Sequence, residues 1–268
     1  MATAARIAPK FTDEQISEVL SLIKGADSVE LKLTVPAENR TQGATALGVD
    51  PLDAEIRQVF FFDTPDLKLN QAGVVVRARR VQRKGDDTVI KLRPVVPQEL
   101  PAALRASPNF GVEVDAMPGG FVCSGSMKRA LGTPDAKGKG TMNVRDTLLG
   151  GHPIRKLFSK EQRALYAEHA PDGIELDDLS VLGPLFVLKL KFAPKGYDRK
   201  LVAELWLYPD NSMILELSTK CPPVETLNVA AETRGFLNSR GIDLSGDQAT
   251  KTKKALEYYS AQLQAGSA

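Results

Sequence analysis

Charged and aliphatic residues alternate along much of this chain. In Val29-Glu30-Leu31-Lys32-Leu33, Glu30 and Lys32 share one face of an extended segment and the leucines take the other. The same period of two places Arg77 with Arg79, and Lys91 with Arg93 opposite Ile90 and Leu92. It also groups Glu113 with Asp115, and Lys189 with Lys191 opposite Leu188, Leu190 and Phe192. Glu204 falls on the side of Trp206, and Glu216 on that of Ser218 and Lys220. The pattern predicts strands over 28–35, 58–64, 73–80, 88–94, 110–116, 185–192, 201–208 and 212–220. Tyr208-Pro209-Asp210-Asn211 predicts a turn joining the last two. A period near 3.6 predicts a first helix, opened by a Thr12/Gln15 capping box and ended by Gly25. Further helices are expected between about 124 and 170 and in two segments near the C-terminal end. Residues 36–51 and 133–141 read as loops, and KTKKALEYY as a solvated helix end.

Two architectures fit this pattern. One is an open antiparallel sheet wetted on one side. The other is a closed barrel whose aliphatic face points outward under helices and whose charges line the lumen. Two features favour closure. Several charged faces are purely basic and others purely acidic, whereas a solvent face mixes signs with Ser, Thr and Gln. The amphipathic helices also each need an apolar wall to cover. The expected fold is therefore α+β, an eight-stranded antiparallel β-barrel or tunnel with a charged lumen and helices packed outside.

Composition narrows the function. The chain has 268 residues, 43% of them apolar and 25% charged, with a net charge of +2. A single domain over 1–268 is expected, with no global basic excess of the kind that marks many nucleic-acid binders. Cys123 and Cys221 are far apart, without metal-ligand spacing. No apolar run matches a signal peptide or a bilayer span, so a cytoplasmic location and no membrane partner are expected. Lys32, Arg77, Arg79, Lys91, Arg93, Lys189 and Lys191 facing one another would repel unless an anion lay between them. Arg and Lys are the side chains that hold phosphate oxygens. Carboxylates among them can offset the repulsion or hold a divalent cation that bridges to phosphate.

The segments VELKL, FFDTPDLKLNQAGVVVRARR and VIKLRP resemble the CYTH domain, or triphosphate tunnel metalloenzyme, family. The resemblance implies an eight-stranded antiparallel tunnel and a metal-dependent phosphohydrolase acting on inorganic or organic triphosphates. It also implies Mg²⁺ or Mn²⁺ as cofactor and a triphosphate or polyphosphate as small-molecule partner. The family's opening Glu-x-Glu-x-Lys falls on Ser28, Glu30 and Lys32, and its basic pair on Arg77 and Arg79. Its next basic residue falls on Lys91, with Arg93 beside it, and its later Glu-x-Glu on Glu216 and Ser218. On this reading Glu30 and Lys32 are catalytic, and Lys32, Arg77, Arg79, Lys91 and Arg93 bind phosphate. Glu30 and Glu216 hold metal. Lys189 and Lys191 join the phosphate set, and Glu204 the metal set, by charge and strand phase alone. Two of the motif carboxylates are serines here. That keeps open a catalytically weakened polyphosphate- or nucleotide-binding protein, with a class IV-like adenylyl cyclase as a further alternative.

Overall fold

The computed structural model describes residues 13–37, 40–118, 120–132, 143–242 and 251–266. Among them lie nine strands: β1 Ser28–Val35, β2 Glu55–Asp63, β3 Val74–Val81, β4 Asp87–Leu92, β5 Phe110–Met117, β6 Gly120–Ala130, β7 Ser180–Phe192, β8 Leu201–Leu207 and β9 Met213–Cys221. The α-helices are α1 Asp13–Gly25, α2 Arg40–Leu47, α3 Lys68–Gln71, α4 Ala102–Arg105, α5 Val144–Leu149, α6 Lys160–His169, α7 Thr226–Ser239 and α8 Lys251–Gly266. The strands close into one barrel in the order β1-β5-β6-β4-β3-β2-β7-β8-β9, and β9 pairs back onto β1. None of the helices is long and apolar enough to cross a membrane.

Closure and the outer helices match the sequence expectation, but the strand count and one pairing differ. The ninth strand is β6, over residues where helices were expected to begin. Its segment GFVCSGSMKRA lacks aliphatic alternation because it needs small residues. A Cβ at Gly125 would stand 2.5 Å from the ring of Phe110 on the neighbouring strand. The barrel is also mixed, since β1 and β5 run parallel with Glu30 opposite Asp115. The expected loop at 36–51 contains helix α2. Thr12 of the capping box and the loop at 133–141 lie outside the described residues.

The aliphatic face points outward, as the alternation requires. Val29, Leu31, Val74, Val76, Ile90, Val112 and Val114 are buried between the barrel wall and its helices, together with Ile23, Leu165 and Tyr166. Burying such side chains contributes about 1.5–3 kcal/mol each. Helix α6 is fixed on the wall by Gln162, which is fully buried. Its amide donates to the Thr88 and Met127 carbonyls, and its oxygen accepts from Thr88 and from the Ser159 N–H. The β8–β9 hairpin turns at the expected Tyr208–Asn211, with the Tyr208 N–H bonded to the Ser212 carbonyl.

Helix α8 does not lie on the outer wall. Ala255 and Leu256 are buried with Val59, Phe61, Leu185, Val187, Trp206 and Ile214, so an apolar cluster fills part of the barrel and holds α8 against it. This overturns the reading of KTKKALEYY as a solvated end. Its first residue, Lys251, enters the lumen, and its side chain is only 13% exposed.

Candidate functional site

The barrel encloses a cavity of about 470 Å³, within the range of small-molecule sites. Eleven Lys and Arg residues line it against five Asp and Glu. Glu55 and Asp87 add two carboxylates at its edge, where they pair with Arg57 and Arg79. Cations still exceed carboxylates.

Strand phase brings nearly all the expected side chains together. Glu30, Lys32, Arg77, Arg79, Lys91, Arg93, Lys189, Glu204 and Glu216 all line the cavity. Lys191 does not: it shares the phase of Lys189 but lies exposed beyond the lumen. The sequence reading did not select Arg57, Lys128, Lys220, Lys251 or Lys253, which also line it. Arg57 carried a usable signal, because it shares the phase of Val59 one turn of the pleat away.

The carboxylates form two groups. Glu30, Glu113 and Asp115 offer oxygens within 4.8 Å of one another. They meet because the parallel β1–β5 pairing sets Ser28 beside Glu113 and Glu30 beside Asp115. Lys32 Nζ lies 2.7 Å from Asp115 and 3.4 Å from Glu30. Arg93 and Lys91 stand 3.2 Å and 3.7 Å from Asp115, and Lys220 reaches Glu113. Asp115 is fully buried and is held by Lys32, Arg93 and Lys91, Lys32 closest. The serines at the two motif positions both touch this group: Ser218 Oγ donates to Glu30 at 2.9 Å, and Ser28 Oγ to Glu113 at 3.4 Å. Three carboxylates clustered this closely could hold a divalent metal ion in competition with those cations.

The second group is Glu204 and Glu216, opposed across β8 and β9. Lys251 Nζ sits between them, 2.5 Å from Glu204 and 2.6 Å from Glu216. Lys189, the direct cross-strand partner of Glu204, donates to its other oxygen at 2.8 Å. Lys251 thus couples Glu204 to Glu216, the latter on the strand next to the one that carries Glu30.

Burial and pairing set the charge states. Burial works against the Lys32 ammonium, but Glu30 and Asp115 outweigh it and raise its pKa above the ordinary lysine value. Burial likewise works against the carboxylates of Glu30 and Asp115, and Lys32 is the main reason both stay below their usual range. Glu204 is held well below it by Lys251 and Lys189 in spite of burial. At Glu216 burial wins and the pKa rises. Lys91 is pushed down to about 8 by burial, which Asp115 only partly offsets.

The arginines are not equivalent. Arg79 makes a forked contact with Asp87, at 2.9 Å from Nε and 2.9 Å from Nη2. Arg57 pairs with Glu55 at 2.6 Å. Arg77 has no such carboxylate among the described residues, and its Nε is buried without a hydrogen-bond partner. Burial and the neighbouring Arg79 lower its pKa. A half-buried guanidinium with no ion pair among the described residues, lining a basic cavity, is suited to an anion with several oxygens.

Trp206 and Tyr208 pack rather than presenting a free stacking face. Both are buried in the cluster under α8, with Lys251 5.1 Å from the Trp206 ring centre.

No protein-family model and no curated protein matches the chain. Solved structures do. A candidate adenylate cyclase from Bacillus halodurans shares 14% identity over 85% of this chain and 97% of its own, with a TM-score of 0.55. A candidate adenylyl cyclase from Hippeastrum with a dominant triphosphatase activity shares 18% identity over 84% of this chain and 92% of its own, with a TM-score of 0.56. At these identities the likeness is one of fold, and it agrees with the tunnel architecture that the CYTH resemblance implied.

Proposed function

We propose that this protein binds a linear triphosphate or polyphosphate inside the barrel and, with a divalent ion, hydrolyses its phosphoanhydride bond. The observation that carries the reading is a barrel cavity lined by eleven cations against five carboxylates, one of the cations a guanidinium whose buried Nε has no hydrogen-bond partner. The shared fold with a Hippeastrum protein of dominant triphosphatase activity supports it.

Arg77, Lys91 and Arg93 would hold phosphate oxygens, with Arg79 adding one face of its fork. Lys32, poised between Glu30 and Asp115, would balance charge on the transferring phosphoryl group. The half-buried setting of these side chains strengthens each contact relative to a surface. Glu30, Glu113 and Asp115 would hold Mg²⁺ or Mn²⁺, which would supply charge neutralisation on the phosphates and a more acidic bound water.

Release of phosphate from tripolyphosphate with Mg²⁺ or Mn²⁺ tests the reading. Absence of release, with tight metal-free binding of the same anion, would leave a binding protein. The tie of Lys32, Arg93 and Lys220 to the three carboxylates favours that second reading, because a metal must compete with them. Cyclase activity ranks lower, since the aromatic rings that would receive a base are packed under α8.

Two further outcomes are expected. Lys91 carries its charge below about pH 8 and loses it as pH rises through that value. Metal-free affinity for tripolyphosphate should therefore fall between pH 7 and pH 9.5. In Lys91→Arg, where the cation persists, the fall should flatten. Titration calorimetry of both proteins at matched pH checks this, and identical profiles would remove Lys91 from the anion site. Ser28→Glu should add a ligand beside Glu113 and raise Mn²⁺ affinity by about tenfold, since ligand charge tunes such sites. Unchanged affinity would mean that position 28 does not reach the metal.

A further inference from the structure

We propose that Lys251 serves as a built-in cation for the Glu204–Glu216 pair, keeping divalent ions out of it, so that the tunnel holds one metal ion rather than two. The inference rests on the reading of Glu30, Glu113 and Asp115 as the metal group.

Glu204 and Glu216 are direct partners across an antiparallel pair. Like charges so placed destabilise a sheet unless a cation lies between them. The ammonium of Lys251 supplies it, bonded to one oxygen of each carboxylate and standing against the Trp206 ring. Glu204 is then fully committed: one oxygen accepts from Lys251 and from the Trp206 indole N–H, the other from Lys189. On Glu204 a divalent ion finds no free oxygen, and on Glu216 one oxygen is already taken by Lys251. It would also meet an ammonium at contact distance.

Lys251 is not readily withdrawn. Its own carbonyl accepts from the Tyr208 hydroxyl at 3.0 Å. One turn on, Ala255 and Leu256 are buried in the barrel, and Tyr259 and Ser260 donate to the Pro184 and Pro65 carbonyls. The helix holds the lysine in place. The Glu30 group differs in gathering three carboxylates within 4.8 Å, so its negative charge is not matched by one ammonium fixed between a pair of them.

The test is the number of Mn²⁺ ions bound by the full chain, counted by electron paramagnetic resonance. The unsubstituted protein should bind one, Lys251→Met two, and Lys251→Met with Glu216→Gln one again. Glu216→Gln alone should keep its ion with affinity within about threefold, because that carboxylate is not a ligand while Lys251 is present. An unchanged count in Lys251→Met, or loss of the ion in Glu216→Gln, would overturn the proposal. If the unsubstituted protein bound no ion and Lys251→Met bound one, the Glu30-centred metal reading would fail and the role of Lys251 would stand. Should Lys251→Met not fold, the Glu216→Gln measurement decides: retention supports the proposal and loss refutes it.

Discussion

Replacing Asp115 with alanine should destabilise the unliganded protein by about 3–5 kcal/mol, the range for removing one partner from a buried ionic group. Asp115 is fully buried, and Lys32, Arg93 and Lys91 converge on it within 2.7–3.7 Å. Without it, Lys32 on β1, Lys91 on β4 and Arg93 just past β4 face one another in the lumen with Glu30 as a remaining counter-charge. Water cannot screen them as it would at a surface. The loss should appear as a lower denaturation midpoint with little change in the denaturant slope, since the unfolded chain is the same apart from one side chain. Tripolyphosphate should restore part of the lost stability, because an anion can replace the missing charge and binds the folded state alone. Failure of the anion to raise the midpoint of this variant more than that of the parent would mean that the three cations do not share one anion. A change of under about 1 kcal/mol would place Asp115 outside the ionic core.

Arg77→Met should have the opposite effect on stability and a large effect on binding. Arg77 is half-buried, its Nε is buried without a hydrogen-bond partner, and Arg79 stands beside it. Methionine fills similar space without a charge. The melting temperature should therefore rise, by about 2–4 °C for each kcal/mol gained. Affinity for tripolyphosphate should fall by about 10- to 150-fold, the equivalent of about 1.5–3 kcal/mol for a hydrogen bond to a charged group. Stability gained as binding is lost is the signature of a group kept for function. Arg79→Met should cost less affinity, because its fork is already engaged with Asp87, and should lower stability by leaving that carboxylate unpaired. Differential scanning fluorimetry and calorimetry of the two variants measure both quantities. Loss of stability at Arg77→Met with unchanged affinity would make Arg77 a structural residue.

Much of this arrangement was legible before the fold was known, and the reason is geometric. Period-two alternation reports directly which side chains share a sheet face, and seven strands here carry it. Closure followed from the same signal, because an apolar face under helices leaves the charged face inward. What alternation cannot report is which strands become neighbours. Glu113 and Asp115 were visible as an acidic face, yet their meeting with Glu30 depends on the parallel β1–β5 pairing, a contact between residues about 85 positions apart. Strand β6 was hidden because its residues are small where Phe110 must fit, so Gly125, Ser124 and Ser126 resemble a loop or helix edge. Lys251 had no local signal at all. It belongs to a helix, and its entry into the lumen is fixed by the burial of Ala255 and Leu256 against strands far away in the chain.

The most direct measurement is a crystal structure of the protein with tripolyphosphate and Mn²⁺. The expected result is the anion inside the barrel, within hydrogen-bond reach of Arg77 and Lys91, and the ion on Glu30, Glu113 and Asp115. Tripolyphosphate bound only on the outer wall, or a lumen still empty at saturating anion, would contradict it.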